Sequence, residues 1–163
     1  MRIDRLSALI QRFSLEVTLC PEGEGNMRVM GAAADGVPSR VVFSPTGRFV
    51  PLPGDERVLI EASVDWGGTA NPLLAAMPST LAIPADDEET SLLLRVFLAE
   101  AAGARCGAGS ALSRLAEVLV IRILRAQMAR GTTEPGLIAG LANPKISRAI
   151  VAMHDDPGRP WRN

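Results

Sequence analysis

The side chains that could carry acid–base or metal chemistry are few, and their spacing matches no common catalytic arrangement. His154 is the only histidine in the 163-residue chain. It follows a helical pattern and precedes two aspartates, a position where the helix dipole alone favours an imidazole. One histidine cannot build a histidine-rich metal site, and Ser–His–Asp or Cys–His catalysis would have to use this same residue. We therefore expect His154 to be structural.

The other residues with possible chemistry also have simpler interpretations. The acidic run 86–89 (DDEE) offers paired carboxylates for general acid–base work. Four acids at the start of a helical pattern are, however, typical of a solvated helix cap. Cys20 and Cys106 lack metal-type or redox-type spacing and are predicted to be reduced thiols. Lys145, the only lysine, follows a proline, which excludes a P-loop. We expect neither enzyme activity nor a metal or cofactor.

Composition and charge fit a folded protein of one domain, or of one domain with a small appendage. Hydrophobic residues make up 47% of the chain and charged residues 21%, with a net charge of -1. This balance gives no general attraction to nucleic acid or to an anionic membrane. No apolar run approaches the ~20 residues of a membrane span, and the N-terminus lacks a signal-peptide pattern. We expect a cytoplasmic protein without a membrane partner.

Between about residues 15 and 83 the chain alternates short β-type segments with turns rich in Gly, Pro, Asn and Asp. Such spacing predicts a small antiparallel sandwich or open barrel rather than βαβ repeats. The segment 48–53 (RFVPLP) is predicted to be an edge or terminating strand because of its prolines. The strongest strand runs from residue 58 to 66. Its alternation predicts one apolar face that could line a cavity for a small molecule: Val58, Ile60, Val64 and Trp66, with Ala62 between them.

Helical periodicity predicts four helices, with the second and third as antiparallel neighbours. They span about residues 4–13, 86–102, 111–129 and 144–153. The predicted N-caps are Asp86 or Asp87 for the second helix, Ser110 for the third and Asn143 for the fourth. The second helix is expected to bury a stripe of Leu92, Leu93, Val96 and Phe97, and the fourth a stripe of Ile146, Ala149, Ile150 and Met153.

The helix at 111–129 has more apolar surface than one core requires. Its main apolar face is broad, yet Val118 and Ile121 also lie among the charged residues of the opposite face. Two apolar surfaces indicate two partners, the protein's own core and a second copy of the chain. The alternative is a helix enclosed within a single domain. The predicted dimer interface consists of Leu115, Val118, Leu119, Ile121, Arg122 and Arg125.

Several segments, taken in order, resemble a known family. In the second half they read NPLLAAMP, GSALSRLAEVLVIRILRAQM and GLIAGLANPKISRAIVAMHDDPGRPW. Together they resemble the cupin-type N-terminal regulatory region of AraC-type transcriptional regulators. LSALIQRFSL near the start and VLIEASVDW before the first segment resemble the same family. The resemblance covers roughly residues 3–15 and 58–161, and it is most specific over 110–161.

This resemblance implies an α+β fold in three parts. Residues 1–84 would form a β-rich, cupin-like regulatory part, and 85–131 an antiparallel helix pair for dimerisation. Residues 132–163 would form a linker and the first helix of a truncated DNA-binding region. The family has a longer run of strands, lined with histidines and aromatics, where this chain has residues 18–55. The β part is therefore expected to be a reduced cupin-like sandwich or barrel.

Three functions follow as expectations. The first is the regulatory and dimerisation domain of a transcription factor, which would reach DNA only through a C-terminal domain absent from this chain. The second is a sensor with a cavity for a small-molecule effector among the strands, and the third is a standalone interaction protein. A cupin-class enzyme is disfavoured by the single histidine.

Overall fold

The computed structural model describes residues 15–49, 55–66, 74, 77–130, 143–155 and 158–160. Within these ranges the chain forms five strands followed by three helices. The strands are β1 (Glu16–Cys20), β2 (Met27–Ala32), β3 (Pro38–Phe43), β4 (Glu56–Asp65) and β5 (Leu81–Pro84). The helices are α1 (Glu88–Gly103), α2 (Ala108–Arg130) and α3 (Pro144–Asp155). No helix in the described ranges combines the length and apolar character needed to cross a membrane.

The strands form one antiparallel sheet in the order β1-β4-β2-β3-β5. β2 and β3 pair as a hairpin, while β4 lies between β1 and β2. An antiparallel sheet followed by a helix pair is the α+β arrangement that the sequence predicted, so the predicted fold class is confirmed.

One face of the sheet packs against α1 and α2 to form the core. The sheet contributes the buried side chains Val17, Met27, Val29, Val41, Phe43, Ala62, Val64, Trp66, Leu81 and Ile83. The helices contribute Leu94, Phe97, Leu112, Ala116, Leu119, Val120, Ile123 and Leu124. The rings of Phe43 and Trp66 lie 5.9 Å apart at 46° within this layer. Burying each large side chain contributes about 1.5–3 kcal/mol, so this interface dominates the stability of the fold.

A bulge in β4 changes which of its residues share a face. β4 pairs with β2 so that Ile60 lies opposite Val29, but Val58 lies opposite Met30. Leu59 is the extra residue. Because Val29 and Met30 face opposite sides of β2, Val58 and Ile60 also lie on opposite faces of the sheet. The prediction that Val58 shares a face with Ile60, Val64 and Trp66 is therefore wrong, since strict alternation fails at the bulge.

A buried carboxylate holds the β1–β2 loop against β4. The Glu61 side chain, on a residue only 2% exposed, accepts hydrogen bonds from the amides of Gly25 at 2.6 Å and Gly23 at 3.1 Å. It also accepts one from Nε of Arg28 at 2.8 Å. Position 25 has no room for a side chain, because a Cβ there would lie 2.6 Å from the carbonyl oxygen of Ala62. The loop therefore approaches β4 closely enough to enclose this carboxylate.

These contacts determine how Glu61 titrates. Burial alone would raise the pKa of this carboxyl. The amides of Gly23 and Gly25 and the guanidinium of Arg28 outweigh burial and hold the pKa of Glu61 below its usual value. The ionised form is therefore favoured in the folded protein.

The two long helices are antiparallel and joined by a short turn. Asp87 caps α1 by accepting a hydrogen bond from the amide of Thr90 at 2.7 Å, which confirms one of the two predicted caps. α1 ends at Gly103 and is followed by its C-cap Ala104, whose φ of 41° is left-handed. α2 then begins at Ala108, before the predicted start at residue 111. Ser110 lies inside the helix, so its predicted role as N-cap is wrong.

α3 begins as predicted. The side chain of Asn143 accepts hydrogen bonds from the amides of Lys145 at 2.9 Å and Ile146 at 3.4 Å. The predicted burial of three residues of its stripe is wrong: Ile146 is 49% exposed and Met153 45% exposed, and Ala149 is also exposed. The side chain of the fourth, Ile150, lies outside what the structure describes. The amphipathic pattern is present, but within the described residues its apolar side lacks cover.

Some predictions fall outside the described residues. They are the helix at 4–13 and the part of the segment 48–53 that follows Phe49. Arg48 and Phe49, which are described, are not in a strand.

Substitutions on the two sides of α2 should change the stability of the fold by very different amounts. Leu119 is completely buried against the sheet, whereas its neighbour Val118 is 45% exposed. Leu119→Ala should lower the free energy of unfolding by about 2–5 kcal/mol because it opens a cavity in the core. Val118→Ala should change it by less than about 0.5 kcal/mol. Urea denaturation of both variants measures the difference, and similar losses would contradict the described orientation of α2.

The lowered pKa of Glu61 predicts a pH-dependent contribution to stability. A carboxyl whose folded pKa is depressed stabilises the fold above its unfolded pKa of about 4.3, and this contribution is lost as the pH falls through the folded value. Glu61→Gln should therefore lower the free energy of unfolding by about 1–3 kcal/mol at pH 7. The difference in unfolding free energy between Glu61→Gln and wild type should narrow as the pH falls towards about 3.5. A gap that stays constant across this range, measured by denaturant titration, would refute the assignment.

Candidate functional site

The structure separates the six predicted interface residues of α2 into two groups. Val118 and Arg125 are exposed, and Leu115 and Ile121 are half-buried at the edges of the core. Leu119 and Arg122, in contrast, are engaged within the chain itself. The predicted excess of apolar surface on α2 is therefore smaller than the sequence indicated and is centred on Val118.

Leu119 does not belong to an interface. It is 0% exposed and lies in the same cluster as Leu112, Ala116 and Ile123, which all face the sheet. The broad apolar face of α2 is needed to cover the sheet. Leu119 is therefore a core residue, and its predicted role in dimerisation is wrong.

Arg122 of α2 forms hydrogen bonds and ion pairs with residues at the start of α1. Its Nη2 donates to Oγ1 of Thr90 at 2.8 Å and to Oδ1 of Asp87 at 2.9 Å, and its Nε donates to the same Thr90 oxygen at 3.1 Å. Its Nη1 donates to Oε2 of Glu89 at 3.0 Å. The hydroxyl and amide of Thr90, and then Arg122, lower the pKa of Asp87. Arg122 therefore links the two helices within the chain, and its predicted interface role stays a prediction.

α1 contributes exposed apolar residues that the sequence assigned to the core. Leu92 is 48% exposed and Val96 is 51% exposed. They lie one turn apart, outside the stripe formed by the buried Leu94 and Phe97. The sequence contains a signal for this exposure, because α1 has more apolar residues than one buried face needs. The stripe at 93, 94, 97 and 98 already covers that face, so Leu92 and Val96 are in excess.

Leu92, Val96 and Val118 form what we call the outer patch, on the side of the helix pair away from the sheet. The contact between Arg122 and Thr90 fixes the register of the two antiparallel helices. Because each residue rises by about 1.5 Å, Val118 lies level with the midpoint between Leu92 and Val96. Around the outer patch are charged side chains, including an ion pair of 3.2 Å between Arg114 and Glu117.

Among the described residues, the predicted ligand-binding residues do not line an open cavity. Val64 and Trp66 are 3% and 1% exposed and pack in the helix-covered core, and Ile60 packs at its edge. Val58 lies on the opposite face of the sheet because of the bulge. In the described part of the chain, the space predicted for an effector on this face is filled by the side chains of α1 and α2.

A groove lies instead at the end of the helix pair, where α2 extends past the start of α1. Its volume is about 430 Å³. The end of β5 and the last turns of α2 form its walls, with Ile83, Pro84, Ala126 and Ala129 as the apolar part. We call it the α2 groove.

In the described part of the chain, the side chains that could carry nucleophilic or metal chemistry lie apart from one another. Cys20 is half-buried and Cys106 is exposed, and neither forms a disulfide. Burial is the main cause that raises the pKa of the Cys20 thiol, with contributions from Glu61 and Glu24. Within the described ranges, His, Cys, Asp and Glu side chains do not come together in threes, as a metal site would need.

Comparison with known proteins places this geometry in a family. The cupin family matches residues 14–129, which include the sheet and both long helices. An uncharacterised HTH-type transcriptional regulator of Haemophilus influenzae is 32% identical over 89 residues, 55% of this chain and 30% of that protein. A protein of Streptomyces lividans described as an AraC-like transcription regulator is 28% identical over 113 residues, 66% of this chain and 37% of that protein.

The matched part of the chain thus spans about a third of each of these relatives. No solved structure matches the chain significantly. The matches confirm the resemblance to the cupin-type region of AraC-type regulators, and with a family match over more than half of its length, the chain belongs to the cupin family.

Proposed function

We propose that this chain is the regulatory domain of an AraC-type transcriptional regulator and that it forms a homodimer through the outer patch. The regulatory role is supported by the cupin match and by relatives described as transcriptional regulators. The observation that carries the dimer is the outer patch itself, where two neighbouring helices expose large apolar side chains at the same level.

The outer patch has the properties of a symmetric interface. Single exposed apolar residues are normal, but several at the same level of two neighbouring helices, with charges around them, are typical of a protein contact. A two-fold axis through such a group lets the same surface meet itself. Val96 and Val118 are β-branched and have little side-chain freedom to lose, which lowers the entropic cost of association. A second copy of the chain is therefore a suitable partner.

Contact with DNA is proposed to come from a separate C-terminal domain. The net charge of -1 gives this chain no general affinity for phosphate. The two relatives extend well beyond the regions that match, which leaves length in those proteins for another domain. α3, with its uncovered apolar side, would be the first helix of that region. We further propose a cytoplasmic protein without enzyme activity, since a regulator acts where its DNA lies.

Val118→Asp and Val96→Asp should each dissociate the proposed dimer, because they place a charge in the outer patch. The dissociation constant should rise at least about tenfold, equivalent to about 1.4 kcal/mol. Val37→Asp is the matched control, since Val37 is 53% exposed but lies at the β2–β3 turn. Sedimentation equilibrium measures the association of all three variants and of wild type.

All three variants should keep the unfolding free energy of the wild-type protomer within about 0.5 kcal/mol. Two results would refute the dimer: a wild-type chain that is monomeric at about 100 μM, or equal weakening by Val37→Asp and Val118→Asp.

A further inference from the structure

α2 is longer than its partner helix, and the α2 groove results from this difference. α2 has 23 residues and α1 has 16. The contact between Arg122 and Thr90 lies at the start of α1, so among the described residues the last turns of α2 have no helical neighbour on that side. Ala126 and Ala129 face this space and, being small, keep it open. The volume of about 430 Å³ is in the range of small-molecule sites.

The charges along the α2 groove favour an anion. Arg125 and Arg130 line it, both are exposed, and neither has a carboxylate partner among the described residues. Arg122 also lines the groove and forms ion pairs with Asp87, in the lining, and with Glu89, outside it. Asp86 is the other acid in the lining. Counted over the described lining residues, three arginines against two aspartates leave a net positive charge of one.

The apolar part of the lining determines what else the ligand must carry. Ile83 and Pro84 on one wall and Ala126 and Ala129 on the other offer contacts to carbon rather than to water. Guanidinium groups bind carboxylates through two parallel hydrogen bonds. We infer that the α2 groove binds a small organic carboxylate with an aromatic or aliphatic body, and that Arg125 and Arg130 hold its carboxylate.

The position of the α2 groove determines which part of the chain a bound ligand would hold. The groove ends at Arg130, the last residue of α2, from which the chain continues towards α3. A bound carboxylate would connect the end of α2 to the β5–α1 corner. It would thereby hold in place the point at which the chain leaves α2. The use of the groove as an effector site rests on the proposed regulatory function, whereas binding itself does not.

Benzoate is a suitable probe, with benzamide as its neutral analogue of the same shape. Isothermal titration of the full chain should show saturable benzoate binding at one site per chain. Benzamide should bind at least about tenfold more weakly, because it cannot form the charge-assisted pair. The double variant Arg125→Gln/Arg130→Gln should weaken benzoate at least about tenfold. Arg114→Gln is the matched control, since Arg114 is an exposed arginine near the other end of α2, and it should bind benzoate like wild type.

Each of three results would overturn the inference: no saturable benzoate binding up to about 10 mM, equal binding of benzamide, or unchanged benzoate binding in the double variant. Inorganic phosphate that binds as tightly as benzoate would also overturn it, because the apolar walls would then contribute nothing. Sedimentation of the same samples separates the two proposals. Loss of ligand binding in an intact dimer contradicts only the ligand site, and a monomer that binds benzoate contradicts only the dimer.

Discussion

The packing of α2 against the sheet is the constraint on which the rest of the structure depends. Leu112, Ala116, Leu119 and Ile123 are at most 4% exposed and face the strands. Once this face is buried, the rotation of the helix is fixed, and every other side chain of α2 has its position decided. Val118 must point away from the sheet, and Arg122 must meet the start of α1. The outer patch and the α2 groove are both consequences of that one orientation.

The cap and strand predictions were reliable where local chemistry determines the structure. Asp87 and Asn143 cap their helices because a side-chain oxygen reaches amides two or three residues away, a pattern contained within a few positions. β1, β4 and β5 lie within the β-type segments expected between about residues 15 and 83, since short apolar segments separated by turn residues mark strands locally. The order of elements also follows, since turns and helical periods are read one after another along the chain.

Features that depend on distant contacts were not predictable from the sequence. The bulge at Leu59 arises from pairing with β2, and nothing in the local pattern of β4 marks it. Glu61 is enclosed by a loop 36 residues earlier, which its own position in β4 does not indicate. The internal contacts of Arg122 were not predicted because its partners lie 32 to 35 residues away. The periodicity of α1 did not distinguish Leu92 from Leu94, because only the position of the sheet decides which is buried.

Membership of the cupin family and the uncovered outer patch together lead to the proposed role, and the most direct test is whether a second copy covers Val118. Val118→Cys and, as the control, Val37→Cys can be placed in a chain whose Cys20 and Cys106 are replaced by serine. The rate at which a maleimide labels each thiol is then measured as the protein concentration rises. Labelling of Val118→Cys should slow as dimers form, while that of Val37→Cys stays constant. A Val118→Cys rate that is independent of concentration would contradict the account.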